Sequence, residues 1–190
     1  ESHFINSITQ ENFIERSDLI FGSDGAFSAA RLSHMLQHDQ FEYHQYFIDC
    51  GYKEISFPAG NNGEFLIEKN ALHIWPRQNY MLIALPNLDG SFTVTLFLPF
   101  DGNPRFNQLN NPAIIQEFFH QQFPDVVPLM PDLVKDFLEH PTGALGTIKC
   151  SPWHTSRSLL MGDAAHAIVP FYGQGINCAM VDVLILNHYL

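Results

Sequence analysis

Two segments, one toward each end of the chain, share a single layout, and that layout constrains the fold more than any other feature. The first is Asp18-Leu-Ile-Phe-Gly-Ser-Asp-Gly-Ala-Phe-Ser-Ala-Ala-Arg31. The second is Leu159-Leu-Met-Gly-Asp-Ala-Ala-His-Ala-Ile-Val-Pro-Phe-Tyr-Gly-Gln-Gly-Ile-Asn177. In each, a short apolar run leads into a Gly/Asp pair, then small residues, then a helical pattern. Such a turn puts a carboxylate at the carboxyl end of a strand, where open α/β sheets bind ligands. Asp163 is placed to accept hydrogen bonds from sugar-type hydroxyls, and Gly173 and Gly175 let backbone approach a flat ring. A helix starting near Gly175 points free N–H groups and a positive dipole end at the same place. One such turn alone reads as an ordinary helix start. Two in one chain, the second continued by Gly-Gln-Gly-Ile-Asn, read as a ligand site.

Between these segments the character is β. Gly51–Phe57, Glu64–Ile67, Ala71–Trp75, Tyr80–Leu85 and Ser91–Leu98 are rich in β-branched and aromatic residues and are punctuated by Gly, Pro and Asn. Pro86-Asn-Leu-Asp-Gly90 reads as the loop of a hairpin. Alternation puts Met81, Ile83 and Leu85 on one face of its first strand and Thr93, Thr95 and Phe97 on one face of its second. Asp18–Gly22, Leu145–Cys150 and Ser158–Met161 are further expected strands. Helices are expected over Ser23–His38, with Asp24 as cap and Phe27, Ala30, Leu32 and Met35 along its apolar side. Others are expected over Pro112–Phe123, with Ile114, Ile115, Phe118 and Phe119 apolar, over Leu129–Glu139, and over Gly175–Leu190. The first residues show no starting element and the last helix has no C-cap, so a longer parent chain is expected.

Composition excludes several classes of function. Nine basic residues against twenty acidic give a net charge of −11, with no basic run to hold nucleic acid or an anionic membrane surface. Hydrophobic residues at 46% and charged ones at 15% describe a globular chain. Cys50, Cys150 and Cys178 are far apart and form no CxxC, which fits a reducing compartment. No apolar stretch of about 18 residues suggests a membrane segment, so a cytoplasmic protein is expected. Ser156 and Ser158 lack a nucleophile-elbow context, the His residues are expected to form no metal site, and His166 reads as a hydrogen-bonded structural residue. Oligomeric state stays open.

The pair Ser23-Asp-Gly-Ala…Arg31 and Gly162-Asp-Ala-Ala-His resembles the fingerprints of flavoprotein monooxygenases of the p-hydroxybenzoate hydroxylase class. His73-Ile-Trp-Pro-Arg77, Ile83-Ala-Leu-Pro-Asn87, Phe92-Thr-Val-Thr-Leu-Phe97 and Ala167-Ile-Val-Pro-Phe-Tyr-Gly-Gln-Gly175 are similar to its kynurenine 3-monooxygenase branch. The resemblance runs from Asp18 to Leu190 and implies FAD as cofactor with NADPH as reductant. It implies that Asp163 binds the flavin ribityl chain, and that Gly175, Ile176 and Asn177 face the isoalloxazine ring. Asp24, Gly25 and Arg31 would support the phosphate-ribose region. Leu72, Met81, Ile83, Leu85 and Phe97 would form the wall of a pocket for a small aromatic amino acid. Pro170 and Phe171 would lie between flavin and substrate. The oxygen comes by way of the cofactor, so no side chain is assigned as catalytic.

The family's Gly-rich GxGxxG turn for the dinucleotide is absent from the sequence. The expected fold is a mixed α+β and α/β fragment. Residues 1–40 and 146–190 would belong to a Rossmann-like FAD-binding domain, and 41–145 to a mostly antiparallel substrate sheet with helices. The parent activity would be hydroxylation of the aromatic ring of L-kynurenine, in tryptophan catabolism. Two alternatives stand beside it. A charged residue among the pocket positions would favour another aromatic hydroxylase of the class, and none is seen in the sequence. A non-catalytic module is the other.

Overall fold

The computed structural model describes Glu1–Leu190 and divides into two units, 1–46 with 146–190 and 47–145. The chain passes from one unit to the other inside two long strands, β4 (Glu42–Phe57) and β8 (Thr142–Ser151).

The second unit is built on a sheet of strand order β5-β6-β7-β4-β8, with β5 at His73–Pro76, β6 at Met81–Pro86 and β7 at Phe92–Leu98. The pairs β5/β6, β6/β7 and β7/β4 are antiparallel. Alternation along β6 and β7 does what the sequence expects. Leu82, Ala84, Phe92, Val94, Leu96 and Leu98 enter one core with Ile55 and Phe57 of β4. Two helices close that core, α2 (Pro112–Gln122) and α3 (Leu133–Glu139). α2 starts on an Asn111 cap that accepts the Ile114 N–H and buries Ile115, Phe118 and Phe119, while Ile114 lies on its flank. α3 begins later than expected, because 127–129 form a tighter 3₁₀ turn containing Pro128.

The expected strand Glu64–Ile67 does not form. Asn62 and Gly63 hold left-handed backbone just before it. Phe65 and Ile67 then pack their side chains on the core without joining a ladder.

In the first unit, β3 (Ile20–Gly22) and β9 (Ser158–Leu160) pair in parallel, Ile20 opposite Ser158 and Gly22 opposite Leu160. Three helices follow them: α1 (Ala29–Gln37), α4 (Asp163–His166) and α5 (Gly175–Tyr189). Gly22 allows close packing, since a Cβ there would lie 2.6 Å from the Ala30 Cβ.

Three expectations for this unit are corrected. The N-terminus is not bare, because β1 (Ser2–Ile5) and β2 (Asn12–Glu15) form a hairpin with Phe4 stacked on Phe13. Its loop lacks Gly and Pro and is held by the Asn6 carboxamide, which accepts the N–H groups of Ile8 and Thr9. Next, α1 starts at Ala29 and not at Ser23, because Gly25 has φ +86° and Ser28 caps the Arg31 N–H. Finally, the inward side of α1 is polar. Arg31 and His34 are buried, while Phe27 and Leu32 are exposed.

Candidate functional site

The parallel pair β3/β9 delivers both Gly/Asp turns from adjacent strand ends. At the first turn, Asp24 accepts from the Ser28 hydroxyl at 2.5 Å and from the Ala30 N–H at 3.0 Å. Partial burial tends to raise its pKa, but the Ser28 and backbone hydrogen bonds outweigh that and hold the carboxyl below its ordinary value. Asp24 is therefore an organiser of the turn. Gly25 beside it is open, with no atom within 4 Å of where a Cβ would stand.

Arg31 joins the two turns. Its guanidinium donates to the carbonyl of Ala164 at 2.7 Å and to that of Ala26 at 2.5 Å, and it lies over the Tyr43 ring. With the residue 4% exposed, it acts through the backbone it holds.

At the second turn, Gly162 takes φ +56° and ψ −141°, where a side chain would be strained. Asp163 follows at the first position of α4. Its carboxylate is exposed and makes no hydrogen bond or ion pair within the chain. Behind it, one carboxylate oxygen of Asp182 accepts from the Gly162 N–H and from His166 Nε2, both at 2.7 Å. The His166 ring packs against Trp153 at 4.9 Å, so His166 is held as a structural residue.

Pro170 and Phe171 lie in a 3₁₀ turn over 170–172 that ends at Gly173 in left-handed conformation. α5 then begins without a side-chain cap, and its first internal bond runs from the Cys178 N–H to Gln174. The N–H groups of Gly175, Ile176 and Asn177 are left without an acceptor. Nothing stands within 4 Å of a Cβ built at Gly173 or Gly175, so this helix start is open to a flat group.

In the second unit, β6 and β7 pair Met81 with Phe97, Ile83 with Thr95 and Leu85 with Thr93. This face lies opposite the helix-packed core. Phe97 and Ile83 are buried outside that core cluster, Met81 is half-buried, and Leu85 is exposed, as is Leu72 just before β5. β4 adds a residue that alternation in β6 and β7 alone cannot reveal. Glu54 pairs with Thr95 and so shares the face, and its exposed carboxylate is without a partner.

Two further features escape the sequence reading. Asp182 was detectable as the one charged residue in the run Ala179-Met-Val-Asp-Val-Leu-Ile-Leu186. His34 on α1 and His38, which caps its C-terminal end, have ring centres 6.2 Å apart, a spacing passed over in the sequence. Burial and the neighbouring His38 and His154 depress the His34 pKa, and its Nε2 meets the Ser158 hydroxyl at 2.7 Å. No group of three or more ligating residues assembles around them.

A Gly/Asp turn with an unpartnered carboxylate, packed on α5 at Ala179 and Asp182, and an open start of the same helix with free N–H groups are chemically suited to polyol hydroxyls and a flat, electron-rich ring. Residues 7–190 match the sequence model of the FAD binding domain. The chain is 52% identical over 171 residues to a kynurenine 3-monooxygenase of Flavobacterium psychrophilum, covering 89% of this chain and 38% of that protein. It is 54% identical over 172 residues to that of Dictyostelium discoideum, covering 90% and 37%. Against that of Drosophila willistoni it is 48% identical over 190 residues, covering 98% and 41%. The chain thus spans about two fifths of the length of the curated relatives it matches. Among solved structures, 2-methyl-3-hydroxypyridine-5-carboxylic acid oxygenase superposes with a TM-score of 0.70 at 25% identity, covering 95% of this chain and 46% of that one. HpxO of Klebsiella pneumoniae complexed with FAD shares the fold, with a TM-score of 0.70 at 21% identity, covering 93% and 44%. With both fingerprint turns in place and the match running through nearly every residue, the chain belongs to the FAD binding domain family.

Proposed function

We propose that this chain is part of an FAD-dependent monooxygenase that hydroxylates the aromatic ring of L-kynurenine, with NADPH as reductant. The observation that carries the reading is the identity of about one residue in two to kynurenine 3-monooxygenases along nearly the whole chain. The residues at the two turns fit the cofactor. Asp163 offers an unpartnered carboxylate for ribityl hydroxyls, and Gly175, Ile176 and Asn177 offer N–H groups to the pyrimidine edge of the ring. Asp24, Gly25 and Arg31 hold the first turn in shape for the phosphate-ribose region. When bound, FAD supplies the activation of dioxygen and the electrophilic oxygen.

The chain's own residues then bind, orient and exclude water. Leu72, Met81, Ile83, Leu85 and Phe97 would give an aromatic ring an apolar wall, and the stiff 3₁₀ turn holding Pro170 and Phe171 would offer the substrate a further apolar contact. None of these groups is needed as a general base, and exclusion of water protects the oxygen transfer from wasteful side reaction. Residues 1–46 and 146–190 would form the cofactor side, and 47–145 the substrate side.

Glu54 favours a second reading, another aromatic-ring hydroxylase of the same class whose substrate carries a polar ring group near Thr95. One experiment separates the two. The full-length protein carrying this chain is loaded with FAD and assayed for NADPH oxidation and product mass with L-kynurenine and with a panel of phenolic acids. Kynurenine should stimulate NADPH oxidation and gain one oxygen atom. Hydroxylation of a phenolic acid with kynurenine inert would establish the second reading, and no stimulation by any of them would end both.

A further inference from the structure

We propose that Asp182 is a positioning residue of the flavin site, a carboxylate clamp that sets where Asp163 stands relative to the start of α5. The inference rests on the reading of Asp163 and the α5 start as flavin contacts. Both contacts lie in the same unit as the clamp.

A single oxygen, Oδ2 of Asp182, accepts from the Gly162 N–H and from His166 Nε2, each at 2.7 Å. These are the residues immediately before Asp163 and three after it, so the clamp grips the turn and α4 from both sides. The Asp182 side chain is 13% exposed and that of His166 19%, which removes most competing water from a charge-assisted pair. Gly162 is pressed against the same helix, because a Cβ there would lie 3.3 Å from the Ala179 Cβ. Ala179 and Asp182 are three residues apart and share one side of α5. A small residue permits the approach of the turn, and the carboxylate fixes it.

The clamp reaches the second flavin contact through the helix itself. Asp182 lies seven residues after Gly175 on α5, roughly 10 Å along a rigid rod. The helix whose free N–H groups would meet the ring edge is therefore the one that holds the turn presenting Asp163. If the clamp is lost, α5 and the turn can shift independently, and one cofactor cannot satisfy both contacts at once. The carboxylate also dictates the proton on His166. An ionised acceptor requires the hydrogen on Nε2, with the ring backed by Trp153, whose own N–H is fixed on the Cys150 carbonyl at 2.7 Å.

The test uses the full-length protein carrying this chain, with variants Asp182→Asn, Asp182→Ala and Asp163→Asn. FAD affinity and the visible spectrum of the bound flavin are read beside apoprotein melting, amide exchange at Gly162 and the imidazole ¹⁵N signals of His166. Asp182→Ala should weaken FAD by roughly tenfold to a hundredfold. It should also alter the flavin spectrum, speed Gly162 exchange and release His166 from a single tautomer. Asp182→Asn keeps an acceptor oxygen and should rescue most of the exchange protection and part of the affinity. Asp163→Asn should weaken FAD while leaving Gly162 exchange and His166 unchanged. If Asp163→Asn binds FAD normally, the flavin reading of the turn fails. The clamp itself is overturned if Asp182→Ala keeps wild-type FAD affinity and spectrum, or if Asp182→Asn and Asp182→Ala lose FAD only in proportion to lost folding.

Discussion

The Arg31 guanidinium donates to the Ala164 carbonyl at 2.7 Å, so the helix behind the first Gly/Asp turn is bonded directly to the helix opened by the second. The two fingerprints are far apart in sequence but are one mechanical assembly. The parallel ladder of β3 and β9 aligns their strands, and Arg31 locks what comes after them.

Arg31→Met should therefore cost stability before it costs chemistry. It leaves the carbonyls of Ala26 and Ala164 without their donor in a covered site, and hydrogen bonds to a charged group contribute about 1.5–3 kcal/mol each. A loss of about 2–4 kcal/mol in denaturant unfolding is expected. Arg31→Lys should fall between, because an ammonium cannot span both carbonyls with a planar fork. Wild-type stability in Arg31→Met would show that the joint between the turns is idle.

Asp163→Asn should behave in the opposite way. The carboxylate has no partner within the chain and does not cap α4, so apoprotein melting should stay within about 0.5 kcal/mol of wild type. FAD retention in the full-length protein should fall by roughly tenfold to a hundredfold, because the charge on a hydrogen-bond acceptor is lost. Flavin content after purification and dialysis measures this. Full flavin occupancy in the Asn variant would remove Asp163 from the cofactor site.

What the sequence disclosed follows from how local each signal is. Gly22, Gly162 and Asp163 carry conformational and chemical demands that are visible within a few residues. Met81 through Leu85 and Thr93 through Phe97 were sorted by alternation, a property of single strands, and their register bears it out. Asp182 was not read because both its partners are tertiary, and a lone Asp in an apolar helix has no local meaning. The buried side of α1 was misplaced for the same reason, since Arg31 and His34 are paid for by bonds to residues more than a hundred positions away. The N-terminal hairpin lacks the Gly or Pro that announces a turn, and an Asn side chain serves in their place. Glu54 stayed hidden until the pairing of β4 with β7 gave it Thr95 as a neighbour.

Lys53 makes a pH-dependent contribution whose sign can be worked out. It is a buried residue whose ammonium donates to the carbonyls of Phe137 and His140 at the end of α3 and has no carboxylate partner. Burial pushes its pKa below the ordinary lysine value. The folded state then releases this proton at lower pH than the unfolded chain, so the penalty is full below the folded pKa. It is relieved as pH climbs from there toward the unfolded value of about 10.4. Against Lys53→Met, wild-type stability should rise across that alkaline window and run parallel below it. Urea unfolding of both proteins through the window measures the difference, and parallel curves throughout would show that Lys53 keeps its ordinary affinity for protons.

Leu85 and Phe97 lie on the same sheet face but should answer differently to truncation. Phe97 is 2% exposed and pairs with Met81, so Phe97→Ala opens a cavity and should cost about 3–5 kcal/mol whatever its role in binding. Leu85 is 46% exposed, and Leu85→Ala removes little that the folded chain has buried, so stability should change by less than about 1 kcal/mol. If this face is the wall of the substrate pocket, Leu85→Ala still weakens kynurenine binding in the full-length protein, because the ligand would bury the surface that the fold leaves open. One lost aliphatic contact of that size corresponds to roughly a tenfold rise in Kd. Leu85→Ala is thus the cleaner probe of the two, since its binding loss cannot be a folding loss in disguise. Equal Kd for wild type and Leu85→Ala, measured by kynurenine titration of the oxidised flavoprotein, would take Leu85 out of the pocket.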